Sequence, residues 1–444
     1  MQRQITSGWG RYPVVEADVV RVRWRRQLKA CLELPGAWLA QGNCRSYGDA
    51  CLARRVLSML PMDRLLDFEA ETGRLRAEAG VTLERILQFA VPRGWFLPVT
   101  PGTKFPTLGG CLAADVHGKN HHVDGSLSRH VESLEMILAD GRDVTCSRQQ
   151  EPELFRATLG GMGLTGVIVA ATLRLRRITS AYVGVRTCRT GNLSETCRVF
   201  SETQDQYRYS VAWIDCLAQG RHLGRSLVML GDHVEAGDLA TRTPLAVHPP
   251  GRLDVPWSLP GWALSPLTVR AFNGLYYHRQ WQRDRYQVVH YDPFFYPLDA
   301  VGHWNRIYGR QGFLQYQFVI PQAAGQAPVE EILQRIARSG AASFLAVLKA
   351  FGPRDESLLG FPVAGLTLAL DIPRRQPGID DFLRQLNQTV RQAGGRIYLA
   401  KDAVLEPDDM EAMYPGLPAF RRIRRTWDPE SRWRSQQSDR LELT

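Results

Sequence analysis

Residues 101–122 read P-G-T-K-F-P-T-L-G-G-C-L-A-A-D-V-H-G-K-N-H-H, and this stretch constrains the chain more than any other. Pro101-Gly102 makes a turn, Gly109-Gly110 sits in an apolar setting, and His117-Gly118-Lys119 follows directly. Glycine carries no Cβ, so its backbone lets a large ligand come close. A His and a Lys just beyond supply proton chemistry and positive charge. The pattern predicts a backbone-lined groove with reactive side chains at one end. Two other readings stay open. A Gly-Gly pair also serves plain tight packing, and His117, His121 and His122 together suggest a metal site. Metal is disfavoured, because carboxylates at ligand spacing are lacking and Lys119 repels a cation.

Two further glycine segments flank this one. Gly42-Asn43-Cys44-Arg45-Ser46-Tyr47-Gly48-Asp49 follows the apolar Ala37-Trp38-Leu39-Ala40. A strand leading into such a loop offers several backbone N–H groups to an anion. The segment is neither a GxGxxG fingerprint nor a Walker A loop. Leu159-Gly160-Gly161-Met162-Gly163-Leu164-Thr165-Gly166 precedes a β-branched strand and again lets backbone wrap a flat ligand. Each alone reads equally well as an ordinary turn. The three in this order are far more specific.

At 444 residues the chain exceeds one ordinary core, so two domains are expected. Short strands separated by turns and helices run from about residue 36 to 178: 56–60, 75–79, 134–138 and 167–173. Asp140-Gly141 reads as a hairpin turn before 143–145. Thr82 reads as the N-cap of a helix over 83–91 that ends before Gly94. Beyond 179, strands at 209–215, 312–320 and 365–372 alternate with helices at 329–339 and 379–393. Residues 232–264, rich in Pro and Gly, are expected to form a long or mobile loop. Further helices are expected at 407–413 and 418–426. The fold class is α+β.

All eight cysteines lie between residues 31 and 216, with no CxxC pair, which suggests reduced thiols in a reducing compartment. No apolar run approaches the ~18 residues of a membrane span. The start MQRQITSGWGRYP lacks the apolar core of a secretory signal, so a cytoplasmic location is expected. The net charge is +10, with Arg clusters at 21–26 and 421–425. Each cluster reads first as a solvated surface. Anionic lipid or a phosphate-bearing substrate also fits. Nothing resembles a zinc finger, a helix-turn-helix or an RNP motif, so nucleic acid is not an expected partner.

Residues 36–178 resemble the FAD-binding domain of the vanillyl-alcohol oxidase/p-cresol methylhydroxylase (PCMH) superfamily. G-N-C-R-S-Y-G-D, D-V-H-G-K-N-H-H and the C-terminal Y-L-A-K-D resemble the decaprenylphosphoryl-β-D-ribose 2′-oxidase family, nearly end to end. The resemblance implies a two-domain FAD-linked oxidase. A PCMH-type domain over 1–178, completed by 395–444, would hold FAD non-covalently. A domain over 179–394, an antiparallel sheet flanked by helices, would hold the substrate.

The resemblance implies cofactor contacts from Gly42, Asn43, Cys44, Arg45, Ser46, Tyr47, Gly48 and Asp49 in the first loop. In the second segment it implies Gly102, Thr107, Leu108, Gly109, Gly110, Ala114, Asp115, Val116 and His117, with Ile168 and Tyr398 beyond. It places Tyr47, His117, Lys119, Trp213, Gln315, Gln317, Lys349 and Lys401 around the substrate. Gln315 and Gln317 alternate along one strand, so they share a face; that face is either solvated or meets something polar. The family's Asn and, two residues on, its Cys facing the flavin are here Thr367 and Ala369. The sugar specificity and the site of covalent thiol-directed inhibition are therefore not carried over.

The implied reaction oxidises the 2′-hydroxyl of a polyprenylphosphoryl pentose to a ketone. A separate NAD(P)H-dependent keto-reductase completes an epimerisation toward a D-arabinose donor for cell-wall glycoconjugates. Lys401 is the first candidate base, its pKa lowered by burial beside Lys119 or Lys349. His117 is the alternative. A lipid-phosphate substrate would bring the protein to the inner face of the plasma membrane, where Arg270, Arg279, Arg283 and Arg285 suit anionic headgroups. Two rival functions are a soluble sugar or aldonolactone oxidase on the same fold, and a basic scaffold with no catalysis.

Overall fold

The computed structural model describes all residues except 1, 249, 250, 252, 261–263, 342, 343 and 444. The first 178 residues build two small sheets. One orders Gln2–Ser7, Val14–Arg21, Arg55–Ser58 and Leu39–Gln41, its last two pairings parallel. The other is an antiparallel sheet of Leu65–Glu69, Arg74–Glu78, Val167–Arg174, Val131–Ile137 and Asp143–Ser147. The hairpin at Asp140-Gly141 forms as expected, pairing Ile137 with Asp143. Thr82 caps the helix Leu83–Ala90 by accepting from the Arg85 amide, and Gly94 closes the turn that follows in the left-handed region.

The second unit is an eight-stranded antiparallel sheet. Its order is Asp284–His290, Tyr182–Thr190, Ser226–His233, Tyr209–Ile214, Ala346–Phe351, Gly365–Pro373, Phe313–Pro321 and Arg396–Ile397. Register gives its two faces opposite tasks. Leu230, Ala212, Leu348, Leu368 and Phe318 point to the core. Helix Ala327–Ser339 covers that side with Val329, Ile332, Leu333 and Ile336, the i, i+3, i+4, i+7 stripe of a half-buried helix. Helix Ile379–Gln392 adds Ile379, Leu383, Leu386 and Val390. Each such side chain contributes about 1.5–3 kcal/mol when fully buried. The other face, with Met229, Trp213, Val347, Ala369 and Gln317, is turned toward the glycine loops.

The C-terminal segment joins both units. Arg396–Ile397 is the last strand of the large sheet, so the crossing back comes after residue 397. Trp433 then bridges to Trp38, and Arg440 grips Asp49 at 2.7 and 2.9 Å. Arg424, expected on a solvated basic helix, is instead buried within Leu417–Trp427. Its guanidinium donates to the carbonyls of Leu164, Leu443 and Trp433. The region expected as one loop over 232–264 begins as strand to His233 and includes a short strand, Leu253–Asp254. Part of it lies outside the described residues. All eight cysteines are free thiols.

Candidate active site

A cavity of about 1240 Å³ lies between the glycine loops and the open face of the large sheet. Along its first wall the loop after Leu39–Gln41 turns sharply at Cys44, whose φ is 48°. Among the described residues the backbone amides of Asn43, Cys44, Arg45 and Ser46 have no protein acceptor. Consecutive free amides at a cavity wall are a site for an anion such as a pyrophosphate. Arg45 adds charge, stacked 4.0 Å from the Trp9 ring, and its buried Nε has no partner among the described residues.

The second wall is the helix Leu108–Ala113, capped by Thr107, which accepts from the Gly110 amide. Here the glycines act through space rather than through donors. A Cβ on Gly42 would sit 2.2 Å from Thr107 Oγ1, and one on Gly109 would sit 2.8 Å from Ala79 Cβ. Gly110 faces the cavity, and a Cβ there would meet only Thr107 Oγ1, at 3.2 Å. Met162, Gly163 and Gly166 of the third segment, and Ile168 of the strand that follows, also line the cavity. The free amides, the unpartnered guanidinium nitrogen and the glycine-lined approach fit a dinucleotide flavin.

At the reactive end His117 is buried and contacted at both ring nitrogens. Gln317 Nε2 lies 3.1 Å from its Nε2, and Lys349 Nζ lies 3.2 Å from its Nδ1. With Gln317 donating to Nε2, the ring proton sits on Nδ1 and Lys349 must accept it as an uncharged amine. The electrostatics agree. Burial, then the charges of Lys401 and Lys119, pull Lys349 well below the usual lysine range. Burial, then Lys349 and Lys401, do the same to His117 relative to an ordinary imidazole. Burial alone brings Lys119 down to about 8. Its ammonium lies near the Phe295 carbonyl and over the Phe294 ring.

Lys401 stands in the short 3-10 turn Leu399–Lys401, and burial brings it down to about 8. This corrects one expectation. Cationic neighbours are not what lowers Lys401; the charge that acts on it is Asp371, which works the other way. Asp371 is the titratable residue next to Lys401 that motif reading missed. It lies opposite Gln315 in register, accepts from Gln315 Nε2 at 2.5 Å and from the Tyr308 hydroxyl at 3.1 Å, and burial raises it to about 7. The available signal was alternation, since Asp371 is two residues past Ala369 and shares its face.

Of the residues named from the sequence, Gly42 to Tyr47, Gly102, Thr107, Gly109, Gly110, Ala114, Val116, His117, Lys119, Ile168, Trp213, Gln315, Gln317, Lys349, Tyr398 and Lys401 line the cavity. Gly48, Asp49, Leu108, Asp115 and Thr367 do not, and each has a structural task. Gly48 packs on the Asp402 carbonyl, and Leu108 is core. Asp49 holds Arg440. Asp115, raised to about 6 by burial, accepts from the amide and hydroxyl of Ser128 and from the Ser357 hydroxyl. Thr367 accepts from Gln317 and donates to the Phe318 carbonyl, so it orients the amide that meets His117. His121 and His122 also have structural partners, the Gly352 amide and the Tyr207 carbonyl. Tyr398 donates to the Ala114 carbonyl at 2.9 Å and stacks on Phe361.

Comparison with known proteins agrees with this layout. Residues 19–147 match a family model described as an FAD binding domain. Residues 368–441 match one described as D-arabinono-1,4-lactone oxidase. The chain is 36% identical to decaprenylphosphoryl-beta-D-ribose oxidase of Mycolicibacterium smegmatis, covering 98% of this chain and 97% of that one. It is 34% identical to an uncharacterized protein of Streptomyces coelicolor, over 82% of this chain and all of that one. To D-arabinono-1,4-lactone oxidase of Yarrowia lipolytica it is 28% identical, over 30% of this chain and 26% of that one.

Proposed function

The chain belongs to the decaprenylphosphoryl-β-D-ribose oxidase family of FAD-dependent oxidoreductases, and from that premise we propose that it oxidises the 2′-hydroxyl of a polyprenylphosphoryl ribose to the ketone. One observation supports this most: Lys401, Lys349, His117 and Gln317 converge where the sheet face meets the glycine loops. Converting a secondary alcohol to a ketone removes a proton from oxygen and a hydride from carbon. FAD, when bound, supplies the hydride acceptor.

The chain's own residues do the rest. Lys401, uncharged above about pH 8, takes the hydroxyl proton. Gln315 and Trp213 line the sugar's side of the cavity. The Trp213 indole is fixed by donating to the Phe344 carbonyl at 3.0 Å. Gln317, held by Thr367, fixes the His117 ring. Lys119 supplies positive potential to the reacting end, Lys349 holds the His117 ring as an uncharged amine, and the buried setting excludes water and strengthens every charge within it. The first loop, from Gly42 to Ser46, holds the pyrophosphate.

Among the described residues no helix is long and apolar enough to cross a membrane. A lipid-linked substrate nonetheless brings the enzyme to a membrane surface, which we place at the cytoplasmic face. The ketone needs a separate hydride-donating reductase to finish the epimerisation to an arabinose donor.

The deciding experiment is anaerobic. Purified, flavin-loaded protein is mixed with a short-chain polyprenylphosphoryl ribose, and bleaching of the oxidised flavin is followed. Rapid bleaching with the phospholipid sugar and none with a free aldonolactone supports the reading. The converse favours the lactone oxidase that the C-terminal match suggests. A colourless protein overturns both.

A further inference from the structure

We infer that the helix Pro266–His278 and the edge strand Asp284–His290 form the face by which this protein docks on an anionic phospholipid bilayer, with the cavity mouth opening within that face. The inference rests on the lipid-linked substrate proposed above. The helix starts at Ser265, whose hydroxyl accepts from the Thr268 amide, with Pro266 in its first turn. It is anchored by one narrow stripe, Val269, Asn273 and Tyr277. Asn273 donates to Asp215 at 2.8 Å, and Tyr277 donates to the Thr190 carbonyl at 3.1 Å. The rest of the helix faces out, and much of what faces out is apolar. Leu267 is 77% exposed and Leu275 is 76%.

Beyond the helix the pattern continues. Trp281 is 77% exposed, and Tyr286 and Val288 of the edge strand are also open to solvent. The strand ends the large sheet and pairs on one side only, with Tyr182–Thr190. The strand Leu253–Asp254 pairs with Val301–Gly302, which line the cavity, and Leu253 and Trp257 are exposed. Large exposed apolar side chains grouped in this way mark an interaction surface.

Charge decides what the surface meets. Arg270, Arg279, Arg283 and Arg285 interleave with the apolar residues, and all four are exposed. None of the four forms an ion pair among the described residues. The single acid in the stretch 264–290, Asp284, is neutralised by Arg186. Aromatic and aliphatic side chains mixed with unpaired arginines suit the headgroup boundary of a negatively charged bilayer. A second copy of the same face would set arginines against arginines. The face is continuous with the site, because Phe272, Tyr276, Arg279, Arg285 and Gln287 belong both to it and to the cavity lining. A substrate whose tail stays in the bilayer then enters sugar first.

The test uses the flavin-loaded full chain and vesicles of phosphatidylglycerol and phosphatidylcholine. Co-sedimentation is measured at low and high salt, beside turnover of a short-chain, water-soluble substrate analogue. Two double variants avoid the cavity lining: Leu267→Ser with Leu275→Ser, and Arg270→Ser with Arg283→Ser. Wild type is expected to bind in a salt-dependent way. Each arginine near such a surface is worth about fivefold in partitioning, so the arginine pair loses about 25-fold. The leucine pair is expected to lose at least about tenfold, while both variants turn over the soluble analogue as wild type does. Vesicle binding unchanged in both variants overturns the inference. So does a wild type that stays free of vesicles and forms a dimer that the leucine pair dissolves. Turnover of the analogue without any vesicle binding overturns the docking face and leaves the reaction standing. Vesicle binding lost in the variants, with a protein inert to the analogue, supports the face and removes the reaction.

Discussion

Asp371→Asn separates Lys401 from the buried carboxyl that acts on it. Burial holds the Asp371 carboxyl up at about 7 and brings Lys401 down to about 8, with the carboxylate working against the second effect. An opposite charge close enough to act on a buried ionisable group shifts its transition by about 1–2 pH units, or about 1.4–2.7 kcal/mol. The substitution keeps the volume of the side chain. The asparagine oxygen still accepts from Tyr308, and a turn of the Gln315 amide gives the new NH2 an acceptor, because Gln315 Oε1 has no partner among the described residues. The sign follows from the role of Lys401. It takes a proton only when uncharged, so flavin reduction rises with pH through the Lys401 transition, near pH 8 in the wild type. Without the carboxylate the ammonium loses its support, and the rising limb moves toward acid by about 1–2 pH units. Anaerobic stopped-flow measurement of flavin bleaching across pH reads the limb directly. Lys119 also sits at about 8, so Lys119→Met is the control and is expected to leave the limb in place. A limb that does not move in Asp371→Asn refutes Lys401 as the titrating base. A limb that vanishes, with reduction slowed by about 100-fold or more, refutes it too and makes Asp371 the base.

Three further outcomes are expected. Lys401→Ala keeps its flavin, seen as an unchanged absorbance ratio, but reduces it about 100- to 10,000-fold more slowly; wild-type reduction would remove Lys401 from the reaction. Gly110→Val is purified without flavin, because its branched methyls project into the cavity past Thr107 Oγ1; a yellow mutant with a normal flavin-to-protein ratio contradicts this. Arg424→Met leaves three buried carbonyls without their donor and lowers stability by about 3–5 kcal/mol in chemical denaturation, whereas a loss under about 1 kcal/mol makes the guanidinium dispensable.

The parts of this site visible in the sequence are those set by short-range rules. Alternation alone puts Gln315 and Gln317 on one strand face, and Thr82 before an apolar run is enough to start a helix. The glycines of 42–48 and 102–110 are legible because a missing Cβ is a property of the residue itself. What stays hidden is which strands become neighbours. Asp371 looks like any strand-end aspartate until register sets it against Gln315 and the fold brings the Tyr308 hydroxyl to it. Only then is a buried carboxyl both held in place and able to act on Lys401.

Arg424 is hidden for the same reason. Its neighbours in sequence are exposed or half-buried arginines, and the three carbonyls that hold it come from distant turns and from the chain's own end. The helix Pro266–His278 inverts the usual pattern, since its buried stripe includes an Asn while leucines face out, so apolar periodicity points the wrong way. A local rule that assumes water outside fails there, and the docking proposed above accounts for the failure. Where the outside is a bilayer, an apolar outer face is what the physics favours. Under the docking proposed above, the residues that defeat the rule mark a face turned toward lipid rather than water.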